Sequence, residues 1–339
     1  MTKIAPTATV DPKAEIASDV EVGPGSYIGP KVRIGPGCRL IANVTILGNT
    51  RIGSGNVFYP QAVIGAAPQD LKYQGTDTEL IIGDNNVFRE SMTVHTGTET
   101  GGGLTQIGNH NQFQVGSHLG HDVIVGDHCI LSNLVQIAGH VHIENSVHIS
   151  GLVGVQQFVT LGRNCYITGF ARCTADTPPY VIYSHDGTVQ GINVKGLARW
   201  GFAEGSVQQL RELGKILFPR KSQILNDFQP RGLYALLPWK KPVTDGVATL
   251  AKRLREAEAR NFTDEHCVYM LEFLKRSIHE GVHGRYLESL RRDGAAKPRF
   301  YQSDAKKSRQ AADYKSIAAP GAGSAITPAD LGAIRSDPA

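Results

Sequence analysis

Nowhere in this 339-residue chain do about 18 apolar residues run uninterrupted, so the sequence holds no candidate transmembrane helix. Met1–Val10 lacks a basic segment followed by an apolar stretch, so no secretory signal is expected and a cytoplasmic location is the default. None of the five cysteines forms a Cys-x-x-Cys pair. That odd count speaks against both a disulfide framework and a zinc knuckle. Aromatic residues are scarce at 7 % and charged ones modest at 19 %, whereas glycines number 38. This balance suits an architecture of many regular turns better than a bulky-cored globule. The length allows one large or two moderate domains with ample core.

Each part of the chain is short of one sign of charge. Residues 1–190 carry 10 Lys and Arg against 15 Asp and Glu, and residues 191–339 carry 25 against 16. A basic C-terminal part on an acidic body suits an acidic docking partner. From charge alone, a solvated basic helix surface with a basic tail is the simpler account. No nucleic-acid partner and no stable membrane insertion are expected.

What the chain does have is a repeat. Apolar residues fall at every sixth position from Ile4 through Val10, Ile16, Val22, Ile28, Ile34, Leu40, Ile46, Ile52 and Phe58 to Ile64. The phase resumes at Ile82, Phe88 and Val94, and again from Ile107 to Cys173. A helix needs apolar spacing near 3.6 and a two-sided strand a period of 2, so a period of 6 fits neither. It fits a three-sided coil of short strands, about 18 residues per turn, in which each coil covers the apolar face of the next. Cys38, Cys129 and Cys165 fall in the small interior slot and Cys173 in the large one, so a catalytic thiol is not expected; Cys267 is left open between core and surface. The two phase breaks, 66–81 and 95–106, read as loops ejected from the prism, where ligands tend to bind.

Beyond about residue 190 the spacing turns helical. Val207, Leu210, Leu213, Ile216 and Leu217 form one amphipathic stretch, Val247, Leu250 and Leu254 a second, and Val268, Leu271, Leu274 and Ile278 a third. The expected organisation is a parallel β-helix of hexapeptide repeats over 1–188 and a smaller α-helical C-terminal domain over 189–293. A disordered tail rich in Ala, Gly, Ser, Pro and Lys is expected over 294–339.

Residues 18 apart stack on neighbouring coils. After the second loop this places His118, His121, Asp122, Gly139, His140 and Gln157 near one edge, pointing outward, with His110, His128 and His148 elsewhere. An imidazole there can serve as a general base, oriented by Asp122, and Gly139 can offer an unobstructed backbone N–H to an oxyanion. Lys72, in the first loop, can meet an anionic group. Surface histidines on a polar wall are the simpler account of any one of these residues; three histidines, an aspartate and a glycine on one edge favour the chemical one. A zinc site like that of γ-class carbonic anhydrases is an alternative, although His118-x-x-His121 is short and lacks a nearby Cys or Glu. No metal and no cofactor are expected. Gly101-Gly102-Gly103 lacks the Lys-Ser/Thr of a P-loop, and Gly23-Pro24-Gly25 lacks a Rossmann context.

Several segments together resemble the UDP-N-acetylglucosamine acyltransferases, the LpxA family. They are Pro68-Gln69-Asp70-Leu71-Lys72-Tyr73, Glu90-Ser91-Met92-Thr93-Val94-His95, Gly101-Gly102-Gly103-Leu104-Thr105, His118-Leu119-Gly120-His121-Asp122, Ala138-Gly139-His140-Val141, Pro178-Pro179-Tyr180-Val181-Ile182 and Gly191-Ile192-Asn193-Val194-Lys195-Gly196-Leu197. The similarity spans roughly residues 3–220. It implies a left-handed coil and transfer of a 3-hydroxyacyl group from acyl carrier protein to the sugar 3-hydroxyl, the first step of lipid A synthesis, in a homotrimer. It implies His121 as base, Asp122 as its support and Gly139 as oxyanion donor. Asp70, Lys72, His118, His140 and Gln157 would bind the sugar nucleotide or the acyl arm, and Asn193 and Arg199 the nucleotide or carrier end. Gly169 matches the position that lets the acyl groove run long. Gln156, Lys195 and Trp200 depart from the family pattern, which leaves open a 3-amino nucleotide sugar as acceptor, or a member that only binds.

Overall fold

The computed structural model describes residues 2–219 and 250–291. Residues 3–183 wind as a left-handed parallel β-helix with three walls. The first sheet has 11 strands, running from Lys3–Ile4 to Val189–Ile192. The second has 9, from Thr9–Val10 to Arg172–Cys173, and the third 8, from Glu15–Ile16 to Thr160–Leu161. Most strands are two residues long, one facing out and one buried, as a period of 6 split over three walls requires. Lys3 pairs with Glu21, 18 residues on. Across the insertions the offset grows, Val57 pairing with Val87 and Val87 with Gln112, yet the walls stay in register. Phe58, Phe88 and Phe113 therefore stack inside the prism with centroids 4.7 and 5.0 Å apart, an arrangement that adds to their burial. Ile4, in the first coil, is covered on one side only and is 48 % exposed.

The insertions differ from their expected bounds. Glu79–Ile82 and Leu104–Ile107 are strands of the third sheet, so each loop ends before its last predicted residues, which already alternate outward and inward. All five cysteines are buried. Burial pushes the thiols of Cys129, Cys173 and Cys267 up to about 12, which leaves no thiolate nucleophile at neutral pH.

Past residue 188 the chain first adds a strand, Val189–Ile192, antiparallel to Val181–Tyr183, where helix was expected. Helices follow: α1 (Val194–Arg199), α2 (Glu204–Leu217), α3 (Leu250–Ala259) and α4 (Glu265–Lys275), the last running into a π-helical turn, Arg276–Glu280, before α5 (Tyr286–Ser289). In α4 Leu271 and Leu274 are buried, as the apolar spacing suggests, together with Cys267, Met270 and Phe273, while Val268 is 38 % exposed; the core face widens toward the residues before the expected ones. The helices lie against the last coils. Tyr269 donates to Glu144 at 2.5 Å, and the Arg163 guanidinium sits 3.8 Å over the Tyr269 ring. Among the described residues no helix is long and apolar enough to cross a membrane. Val247 and the tail expected to be disordered, 294–339, lie outside the described residues.

Candidate active site

One corner of the prism, between the second and third sheets, turns through a left-handed residue in three successive coils after the second insertion. Asp122, His140 and Phe158 occupy it with φ of 59°, 62° and 64°, a conformation that Asp, Asn and His adopt more readily than other L-residues. The turn aims consecutive side chains of one coil at those of the next.

His121 Nδ1 lies 2.7 Å from Asp122 Oδ2. The carboxylate is itself held on all sides. Oδ1 accepts from the Thr98 N–H at 2.8 Å and Oδ2 from the Thr98 hydroxyl at 2.6 Å, while the Asp122 N–H donates to Thr105 Oγ1 at 2.8 Å. Gly101 packs against it so closely that a Cβ there would come within 2.2 Å of Asp122 Cγ. The pair points outward from the prism, as expected, but the second insertion closes over it, leaving His121 5 % and Asp122 7 % exposed. Fixed by a carboxylate at Nδ1, the imidazole presents Nε2 as its free acceptor. That edge faces the next coil, where a Cβ on Gly139 would stand 2.4 Å from His121 Cε1 and 2.5 Å from Nε2. Among the described residues the Gly139 N–H donates no hydrogen bond. His140 sits edge-on to His121, with centroids 4.9 Å apart.

His118 lies on the flat second wall beside this corner. Its Nδ1 is 2.8 Å from Thr93 Oγ1, and its ring meets the edge of His95 at 4.9 Å. A groove of about 500 Å³ runs on from it along the wall, lined by Gln136, Gly154, Gln156 and Arg172 among others. Gln157 is exposed beside the groove. Asp70 and Lys72 sit in the first insertion, where Asp70 Oδ1 accepts from the Lys72 N–H at 2.9 Å. The two insertions are joined by Glu99, which accepts from the N–H groups of Gln74 and Thr76 at 2.9 and 3.2 Å.

The remaining expected residues are not brought to His121 within one chain. Asn193 caps α1, its Oδ1 accepting from Gly196 N at 3.2 Å, and its Nδ2 donates to Asn164 O at 3.0 Å. Arg199 is exposed on the side of the first sheet, near enough to lower the pKa of His148 after burial has done so. Trp200 rests edge-on against His128, which stacks on His110. Gly169 lies on the corner between the first and second sheets, beside Phe170.

Sequence reasoning assigned no role to Thr98, Thr105, Gly101 or His95, although the last three lie in segments that carry the family resemblance. The first three serve only as a brace for Asp122, and the glycine run that lacked a P-loop signature is what lets the insertion close over that carboxylate. His95 is buried, and its Nδ1 has no hydrogen-bond partner among the described residues. Burial first, and then His118 and His121, depress its pKa to about 4. The unfolded chain takes up this proton near pH 6.5 but the folded one only near 4, so the stability held above pH 6.5 is lost as the pH falls between them. Wild type should therefore lose about 1–2 kcal/mol more than His95→Asn between pH 7 and pH 5 in urea denaturation. Equal losses would show that the imidazole is not held neutral.

His121, Asp122 and His140 also offer three ligand atoms within 4.8 Å of one another, the kind of group that can hold a metal ion. Both Asp122 oxygens, however, are engaged by Thr98 and His121, and a metal would have to displace those donors. The arrangement fits a base held by a buried carboxylate beside an unengaged amide.

A family described as Udp N-acetylglucosamine O-acyltransferase, domain 2, matches residues 176–283. An acyl-[acyl-carrier-protein]–UDP-N-acetylglucosamine O-acyltransferase of Anaeromyxobacter sp. (strain Fw109-5) is 44 % identical over 216 residues, 63 % of this chain and 84 % of the relative. Among solved structures, LpxA from Bacteroides fragilis is 33 % identical with a TM-score of 0.69, covering 80 % of this chain and 96 % of that one. LpxA from Acinetobacter baumannii is 35 % identical with a TM-score of 0.68, over 79 % and 95 %.

Proposed function

The chain belongs to the UDP-N-acetylglucosamine O-acyltransferase family, and from that premise we propose that it moves a 3-hydroxyacyl group from acyl carrier protein to the 3-hydroxyl of UDP-N-acetylglucosamine, the first step of lipid A synthesis. His121 Nε2 takes the hydroxyl proton as the oxygen attacks the thioester carbonyl. The Gly139 N–H faces the resulting oxyanion. The new C–O ester bond persists, the C–S bond breaks, and the proton passes from His121 to the departing thiolate. No covalent intermediate on the enzyme is needed. The observation that carries this reading is the His121 imidazole, tethered to Asp122 at 2.7 Å with its free edge against Gly139.

His118, His140 and Gln157 border that edge, and Asp70 and Lys72 sit in the adjoining insertion; we assign them to the sugar nucleotide or the acyl arm. Asn193, Arg199 and Gly169 lie on other sides of the prism, and a second copy of the chain would be needed to bring such residues to His121. A homotrimer is supported further by a column of exposed apolar residues on the corner between the first and second sheets. Leu134, Leu152 and Phe170 there are 50, 48 and 75 % exposed, the kind of patch that marks an interface. The basic helical region suits the acidic carrier protein. A cytoplasmic location is part of the same proposal, supported by five free thiols without a disulfide.

Gln156, Lys195 and Trp200 are all exposed and none touches the His121–Asp122 pair through a hydrogen bond, so we assign them to the choice of substrate and not to the base. Incubation of the purified chain with hydroxyacyl carrier protein and either UDP-N-acetylglucosamine or its 3-amino analogue, read by mass spectrometry, tests this. An O-ester on the first sugar is the expected product. An amide formed only on the analogue would reassign the acceptor, and no product with either would overturn acyl transfer.

A further inference from the structure

The family match ends at residue 283, yet the chain continues and folds back onto the last coils of the prism. Gly284 O accepts from the Asp176 N–H at 2.8 Å and from Ser277 Oγ at 2.9 Å. Asp176 Oδ2 accepts from the Tyr286 N–H at 2.9 Å, and Arg285 donates to Thr174 O at 2.9 Å while pairing with Glu288. Asp176, Ser277 and Arg285 are each at most 7 % exposed. This is a buried anchor, and it sets the direction of the six residues that follow it. They end at Arg291, whose guanidinium carbon lies 5.2 Å from the centroid of the Phe158 ring.

Phe158 is no ordinary surface ring. It stacks on His140 with centroids 4.5 Å apart and planes 4° from parallel, and its N–H donates to Gly139 O at 3.4 Å. His140 in turn meets His121 edge-on at 4.9 Å. Phe158 thus touches both the ring beside the base and the glycine beside it. It does so from a left-handed corner, φ 64°, and is 6 % exposed, whereas Phe170 at a like corner, φ 60°, is 75 % exposed.

We propose that Arg291 is a positioning residue for acyl transfer, holding Phe158 flat on His140 so that His121 and the Gly139 amide keep their mutual geometry. The inference rests on the acyltransferase reading of the site. It makes a segment beyond the family match part of the catalytic apparatus of this chain. A guanidinium over an aromatic face, partly shielded from water, is a strong enough contact to matter at that corner.

The test uses the full-length chain, with kcat and KM measured per folded active site for Arg291→Met, Arg291→Lys, Phe158→Leu and the Arg291→Met/Phe158→Leu double variant. Arg291→Met should lower kcat about three- to tenfold with KM for either substrate within about twofold. Arg291→Lys should recover most of that loss, because it restores a cation over the ring. In the Phe158→Leu background Arg291→Met should have no further effect. A lowered melting temperature with unchanged kcat would mean that Arg291 merely anchors the helix, and additive losses in the double variant would mean that it acts without Phe158; either overturns the proposal. Absence of turnover by the wild-type chain would overturn the acyl-transfer reading itself, and the positioning role with it.

Discussion

His121→Ala is expected to lower kcat about a thousandfold while KM for both substrates stays within about threefold. Under the proposed mechanism the imidazole is the only group that takes the hydroxyl proton, and the neighbouring candidates are poorly placed to replace it. His140 Nδ1 is 3.8 Å from Asp122 Oδ2, against 2.7 Å for His121 Nδ1, so the carboxylate orients the His121 ring more closely than that of His140. His118 is turned to Thr93 on the adjoining wall, and burial followed by the nearby His121 lowers its pKa, which weakens it as a base. Asp122→Asn should cost less, about ten- to a hundredfold. An amide in place of the carboxylate can still hold one ring nitrogen, but it cannot accept from both Thr98 donors and His121 with the same two oxygens. A His121→Ala variant within about threefold of wild type would sink the base assignment, since no other described imidazole stands against Gly139.

The reach of the sequence is set by the repeat. Where the chain keeps strict register, position is arithmetic: Gly139 follows His121 by 18 residues, and the structure sets them face to face. The same rule put four cysteines inside the prism, where they are. It fails where register is interrupted. Thr98 and Gly101 belong to an insertion whose path no period predicts, so the brace on Asp122 and the closure over the dyad were not legible. A remainder also gives a row but not a direction. His118 falls near His121 in that count, yet it faces across a flat wall toward His95 and Thr93 while His121 projects from a corner. The helical region follows tertiary packing in the same way: Val268 fits the apolar spacing, but α4 turns Cys267 and Met270 to the core instead. The contact of Arg291 with Phe158 joins residues 133 apart in sequence through an anchor that no local pattern announces.

Gly139→Ala is the sharper test, because it adds one methyl and removes nothing. Gly139 does not have a positive φ among the residues that do, so alanine brings no backbone strain there. The entire effect comes from where the methyl points, 2.4 and 2.5 Å from the Cε1 and Nε2 atoms of His121. The ring must rotate or retreat, and retreat is blocked. Its other nitrogen is tied to Asp122, which is gripped by Thr98, and Gly101 stands directly behind the carboxylate. Rotation would break the Nδ1 bond and turn Nε2 away from the substrate hydroxyl. A misplacement of this order at a reacting group costs about a hundredfold or more, so kcat should fall by about two to three orders of magnitude with little change in melting temperature. Gly205→Ala, at a glycine of α2 with nothing within 4 Å of the added carbon, controls for the substitution itself and should match wild type. If Gly139→Ala kept activity within about fivefold, the imidazole would have room that this geometry denies it, and its placement against Gly139 could not be what sets the rate.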